Sequence, residues 1–206
     1  MRSQFVAAIS VAFLSLVPFQ ALHASAPQTY ASAQGAAQAP AQATAILANY
    51  ADMAYAMYDD AYKAAVDLQQ KVDELVKNPS PQTLQHAKDA WVAARVPYQQ
   101  TEGYRFGNPV VDDWEGRVNA WPLDEGLIDY VDVSYGNSSD ENAFYAANII
   151  ANPTLRVGGQ EVDARQITPA LLRQLHEIGE VEANVATGYH AIEFLLWGQD
   201  LNGTDA

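Results

Sequence analysis

The chain has 206 residues, which is enough for one domain or slightly more, and its hydrophobic fraction of 49% is sufficient for a core. Its formal net charge of -14 would repel phosphate backbones, which excludes nucleic-acid binding, and would attract cations. Because the chain contains no cysteine, disulfides, thiolate metal sites and a cysteine nucleophile are also excluded. Any metal would have to be held by oxygen and imidazole nitrogen.

The amino-terminal residues 1–26 have the pattern of a signal peptide. Arg2 precedes an apolar run over residues 5–19, and Ala24-Ser25-Ala26 supplies the small residues of a cleavage site. The alternative is an anchor that is never cut. Residues 27–43 are rich in Ala and Gln and are predicted to be a flexible linker. The sequence therefore predicts export to the periplasm or cell surface, with no transmembrane span once the signal peptide is removed.

Two helices are predicted first in the remaining domain, residues 44–206. Apolar residues recur at helical spacing from Thr44 to Asn78-Pro79, and this stripe should face a core. A second helix is predicted from Ser80, with Pro81 at its first position and Pro97 kinking it near its end.

The second half of the domain has weaker periodicity. Short helices broken by turns are predicted over residues 110–133, and a long irregular connection over 134–167 with one helix-like run at 143–150. Thr168-Pro169 predicts a helix start, and a last helix is expected from Val181 to Gly198. Since strand patterns are weak, the predicted fold is all-α, a bundle of about four main helices.

The densest candidate site is His190-x-x-Glu193 in the last helix. A spacing of three places both side chains on one helical face, and the surrounding residues are apolar. A buried carboxylate needs compensation, which a metal ion would provide. The alternative is an internal hydrogen-bonded pair. Gly188 would keep the preceding turn thin enough for a neighbouring helix or a ligand.

Two further clusters contain charged residues. Arg95 and Glu102 are two helical turns apart and share a face with Arg105 nearby, either as a site or as ordinary surface ion pairs. Acids with interleaved tryptophans occur at 112–125, where a turn-rich polar edge is the alternative to metal ligands. His86 and His176 are expected at the surface. The chain has no His-Glu-x-x-His motif.

Several motifs together resemble the imelysin family, classified as peptidase family M75. They are Gly188-x-His190-x-x-Glu193 with Leu195-Leu196-Trp197-Gly198, Trp91-x-x-x-Arg95-x-x-Tyr98-x-x-x-Glu102, Arg105-Phe106-Gly107, and Val118-Asn119-Ala120-Trp121-Pro122. The resemblance covers residues 43–198, and the branch it resembles most is that of iron-regulated imelysin-like proteins. Family members continue well beyond this point, so the chain is expected to be a truncated, amino-terminal half of a fold with two helical bundles.

The resemblance implies a metal site with His190, Glu193, Glu102 and Asp113 as ligands, although Asp112 is an alternative to Asp113. It implies iron as the bound ion, with zinc as an alternative, and a role in iron uptake or sensing alongside other iron-uptake components of the cell envelope. The second hypothesis is a metallopeptidase of the M75 type, and a third is a helical scaffold with a vestigial site.

Overall fold

The computed structural model describes residues 41–157, 159–199 and 201. The predicted signal peptide, and residues 27–40 of the predicted linker, lie outside the described residues. The described part is predominantly helical, as predicted. It contains five α-helices: α1 (Ala41–Lys77), α2 (Pro81–Gln100), α3 (Pro109–Val118), α4 (Pro169–Leu175) and α5 (Tyr189–Trp197). None of the helices in these ranges combines the length and apolarity that crossing a membrane requires.

Helices α1 and α2 form an antiparallel hairpin around the turn at residues 78–80. Ser80 caps α2 by accepting a hydrogen bond from the Thr83 amide, and the Thr83 side chain accepts one from the Ser80 amide. Pro81 occupies the first turn, where a missing N–H costs nothing. The helix continues through Pro97 to Gln100 and then tightens into a 3-10 turn.

The core is built where α2 packs against both α1 and α5. Helix α2 contributes mainly alanines, which allow close approach of its neighbours. The buried residues of these three helices are Ala61, Ala65, Leu68, Val72 and Leu75 of α1, Ala87, Ala90, Ala94 and Tyr98 of α2, and Tyr189, Ala191, Ile192, Phe194, Leu195 and Leu196 of α5.

The apolar stripe of α1 is buried only in its second half. Ile46 and Leu47 are 68% and 65% exposed, and Tyr50 and Met53 are also exposed, contrary to the predicted core-facing stripe. The reason is length: a helix of 37 residues spans about 55 Å, whereas the 20-residue α2 beside it spans about 30 Å. The first turns of α1 therefore extend beyond the hairpin partner.

Two predictions for the second half of the domain were wrong. The run at 143–150 is not helical, because the amides of Asn148, Ile149 and Ile150 donate to the carbonyls of residues 126–128. The last helix begins at Tyr189, not Val181, because residues 181–188 form turns. A small antiparallel hairpin, β1 (Thr154–Val157) and β2 (Gln160–Asp163), was also not predicted; Leu155 pairs with Val162 in its register.

Candidate metal centre

His190 and Glu193 lie on the first turns of α5, which begins directly after Gly188. The imidazole Nδ1 of His190 and Oε2 of Glu193 are 2.9 Å apart. Their spacing of three residues places them one above the other on the helix, as the sequence predicted. The His190–Glu193 pair is therefore a formed contact between an imidazole and a carboxylate.

The hydrogen bond of the His190–Glu193 pair determines which imidazole nitrogen can bind a ligand. An ionised carboxylate only accepts hydrogen bonds, so Nδ1 of neutral His190 carries the proton and donates it to Glu193. The lone pair then lies on Nε2, for which the described residues supply no hydrogen-bonding partner. Nε2 is thus available to bind a cation, and Glu193 orients the ring.

The pair lies on the open face of α5, which corrects the expectation of a buried carboxylate. The side chain of Glu193 is 41% exposed, whereas that of His190 is 17% exposed. Together with Trp197 these residues occupy positions i, i+3 and i+7, so they share the one face that does not enter the core. The surrounding apolar residues point to the other faces, which is why the apolar run did not imply burial of Glu193.

Two tryptophans hold the beginning of α5. The Trp91 indole Nε1 donates to the backbone carbonyl of Tyr189 at 3.0 Å, which fixes the first turn against α2. The ring of Trp121 lies 4.8 Å from that of His190, centroid to centroid, and Trp121 itself is 70% exposed. An aromatic side chain from the segment after α3 therefore forms one wall beside the imidazole.

Arg95 lies next to this site on α2 and is held by aromatic rings. Its guanidinium carbon is 5.7 Å from the ring centre of Trp91, 5.4 Å from that of Tyr98 and 5.0 Å from that of Tyr189. Its Nη1 donates to Oδ1 of Asn119. Arg95 and Glu102 were predicted to share a helical face, but Glu102 lies on the 3-10 turn after α2, and the two residues form no ion pair.

Glu102, one of the predicted ligands, lies with Asp112 and Glu115 around Arg105. Its Nη1 is 3.1 Å from Oε1 of Glu102 and 3.2 Å from Oε1 of Glu115, and its Nε is 3.5 Å from Oδ1 of Asp112. Asp113 is exposed and makes no hydrogen bond or ion pair with another described residue. Of the two alternatives considered from sequence, Asp112 is therefore the one that lies with Glu102.

The structure brings together two of the four predicted ligands, His190 and Glu193. Within residues 41–157 and 159–199, no three side chains of His, Cys, Asp or Glu are grouped closely enough to hold a metal ion. The roles of all four residues, His190, Glu193, Glu102 and Asp113, as ligands stay predictions.

His176 was expected at the surface, but its side chain is only 8% exposed. Its Nε2 donates to the carbonyl of Gly116 at 2.9 Å, and its Nδ1 accepts from the amide of Ala186 at 3.5 Å and lies 3.2 Å from Oγ1 of Thr187. Burial lowers the pKa of His176 below its ordinary value, outweighing the opposite effect of its bond to Gly116. His176 thus connects α3 to the segment that leads into α5, a role that could not be predicted from its polar sequence surroundings.

The described part of the chain is thus a predominantly helical domain with a histidine–carboxylate pair on the open face of its last described helix. The chain belongs to the imelysin family, since the family profile Peptidase_M75 (Imelysin) matches residues 54–206. It is also similar to "Iron-regulated protein A" of Synechococcus elongatus, with 33% identity over 64 residues, which are 31% of this chain. That match spans only 18% of the relative's length.

Proposed function

We propose that this chain is part of an exported, iron-binding imelysin protein that functions in iron uptake or iron sensing at the cell envelope. The observation that carries the proposal is the His190–Glu193 pair, in which the 2.9 Å contact orients the imidazole and no described residue hydrogen-bonds to Nε2. Membership of the imelysin family and similarity to a protein named for its regulation by iron support the choice of metal.

The chemistry of the pair supports a cation as the ligand. A metal-binding histidine commonly donates its second ring N–H to a carboxylate, which fixes the tautomer and increases the basicity of the ligating nitrogen. Glu193 has this relation to His190. Imidazole with hard oxygen donors suits iron, while zinc is the alternative that uses the same nitrogen. The net charge of -14 favours encounter with any cation.

Metal analysis of the purified protein, followed by titration, tests the proposal. The wild type should bind ferrous iron under anaerobic conditions, and His190→Ala and Glu193→Ala should each weaken binding. Parallel titration with zinc identifies the preferred metal. Equal iron binding by all three proteins would reject the site and leave a helical scaffold as the remaining function.

A metallopeptidase is the second candidate, because the matching family is named a peptidase. It would require a metal-activated water and an acid as general base, for which Glu102 would have to leave its ion pair with Arg105. Peptide cleavage that requires metal and is lost in Glu193→Ala would favour this candidate over a binding protein.

Export is a separate part of the proposal and rests on the sequence of residues 1–26. Intact-mass measurement of the protein recovered from a periplasmic fraction should show removal of these residues after Ala26. An uncut amino terminus in the cytoplasmic fraction would contradict export.

A further inference from the structure

Arg95 is a partly buried cation without an ion-pair partner among the described residues. Within the described ranges, its one hydrogen bond runs from Nη1 to Asn119 Oδ1. The other partly buried arginine, Arg105, lies within 4.0 Å of three carboxylates, and the exposed Arg156 and Arg165 are each paired with an acid. None of the acidic residues that the structure describes forms an ion pair with Arg95, although its guanidinium is partly buried.

The surroundings of Arg95 favour an anion as its missing partner. A guanidinium carries five N–H donors in its own plane, and rings packed against it leave donors at its edge unused. Trp91, Tyr98 and Tyr189 fix the position of the group at 5.0 to 5.7 Å from their ring centres. A planar carboxylate matches the fork of donors of a guanidinium held in this way.

Arg95 and His190 are held against the same two segments of the chain. The guanidinium contacts Asn119 and the ring of Tyr189. The imidazole follows Tyr189 directly and contacts Trp121, two residues after Asn119. An anion on Arg95 and a metal ion on His190 would therefore occupy neighbouring positions between segment 119–121 and the start of α5.

Few protein atoms can coordinate a metal ion at His190, which explains why the anion and the metal ion would bind together as one complex. Within the described residues no third histidine or acid joins the His190–Glu193 pair, and the acids around Glu102 are engaged by Arg105. A bare iron ion at His190 would keep most of its coordination sites unfilled by protein. A chelator with several carboxylates would supply those oxygen ligands itself.

We infer that the site takes iron as a hydroxycarboxylate chelate: a carboxylate of the chelate binds the guanidinium of Arg95, and the iron binds Nε2 of His190. This inference rests on the proposed function and names its substrate class. Removal of Arg95 affects only the chelated form of the metal, whereas removal of His190 affects both forms.

Equilibrium dialysis of the purified full chain with three probes tests the inference: ferrous iron without a chelator, ferric citrate, and citrate alone. Arg95→Gln should weaken binding of ferric citrate roughly 10- to 100-fold, because charge-assisted hydrogen bonds are lost. The same variant should bind unchelated ferrous iron within about twofold of the wild type, because hydrated iron brings no carboxylate to Arg95. Citrate alone should bind much more weakly than ferric citrate.

Arg156→Gln is the matched control, because it makes the same change in charge on the exposed β-hairpin and should leave all three affinities unchanged. Arg95→Lys keeps the charge but lacks the planar fork, so it should bind ferric citrate with intermediate affinity. Circular dichroism and Tm report folding, and Arg95→Lys decides the result if Arg95→Gln does not fold.

Two results would overturn the inference: Arg95→Gln or Arg95→Lys binding ferric citrate as tightly as Arg156→Gln does, or citrate alone binding as tightly as its iron complex. Failure of the proposed function would look different, since His190→Ala would then bind ferrous iron as the wild type does.

Discussion

The backbone of Gly188 packs directly against the carbonyl of Val118 at the end of α3. A Cβ at position 188 would come within 2.5 Å of that oxygen and within 2.9 Å of the Arg117 carbonyl. The φ of +91° and ψ of -174° at Gly188 also belong to a region that only glycine adopts readily. The sequence predicted that Gly188 leaves room for a neighbouring helix, and the carboxyl end of α3 occupies that room. This contact positions the start of α5, where the His190–Glu193 pair lies.

Gly188→Ala should therefore destabilise the protein by about 2 to 4 kcal/mol, through backbone strain and displacement of α3. Urea denaturation followed by circular dichroism measures the change. Gly116→Ala is the matched control, because Gly116 is a helical residue with nothing within 4 Å of an added Cβ. It should leave stability unchanged or raise it by up to about 1 kcal/mol. A loss of the same size in both variants would contradict the close contact at Gly188.

The buried His176 should make stability depend on pH. Its pKa in the folded protein is below the ordinary value of 6.5, mainly because of burial, with Arg117 acting in the same direction and Glu177 against it. As the pH falls below 6.5, the unfolded chain binds a proton that the folded protein does not, so the folded protein loses stability.

Thermal unfolding between about pH 8 and about pH 5 checks this dependence. The Tm of the wild type should fall more steeply with decreasing pH than that of His176→Gln, which has no group to protonate there. His86→Gln removes an exposed histidine and should keep the slope of the wild type. Parallel slopes for wild type and His176→Gln would show that His176 does not supply the dependence.

Asn142 and Asn184 form a buried pair that joins three segments of the chain, around residues 124, 142 and 178–184. The Asn142 amide donates to Asn184 Oδ1 at 2.7 Å and to Asp124 Oδ2 at 2.5 Å. The Asn184 amide donates to Asn142 Oδ1 at 3.1 Å and to the Ile178 carbonyl at 2.6 Å. All side-chain donors of the pair are thus satisfied away from water, where an unpaired polar group is costly.

Asn184→Ala should lower the free energy of unfolding by about 2 to 4 kcal/mol, because it leaves Asn142 and the Ile178 carbonyl without their buried partners. Chemical denaturation provides the measurement. Asn137→Ala, at an exposed position, should change stability by less than about 0.5 kcal/mol. If both variants unfold at the same urea concentration, the buried pair is not a stabilising connection.

Glu193 should act on the metal through His190. Glu193→Gln removes the charge that favours Nδ1–H, and we expect it to weaken ferrous iron binding about 10- to 100-fold, as loss of an outer partner does at other metal sites. Titration calorimetry measures this, with the exposed Glu182→Gln as a control of equal charge change. Iron affinity that is unaffected in Glu193→Gln would remove Glu193 from the site.

The hydrophobic spacing was sufficient to predict the helical segments whose backbone bonds are local. Ser80 with Pro81 and Thr168 with Pro169 marked the starts of α2 and α4, because capping depends on residues only a few positions apart. The contact between His190 and Glu193 followed from spacing for the same reason. The exposure of Glu193 did not follow, since the sequence does not state which face of α5 meets the core.

The remaining features depend on residues distant in the chain. The apolar run at 143–150 has helical spacing, yet its amides bond to residues 126–128, so tertiary partners replaced the local bonds of a helix. His176 is buried only because α3 and residues 186–187 close around it. The sequence by itself determined the helical class, the absence of thiol chemistry and the imidazole–carboxylate pair. Only the tertiary structure decided that Arg95 lies against Asn119 and Tyr189 and that Arg105 lies among the acids, because long-range packing, not spacing, selects the partner of each charge.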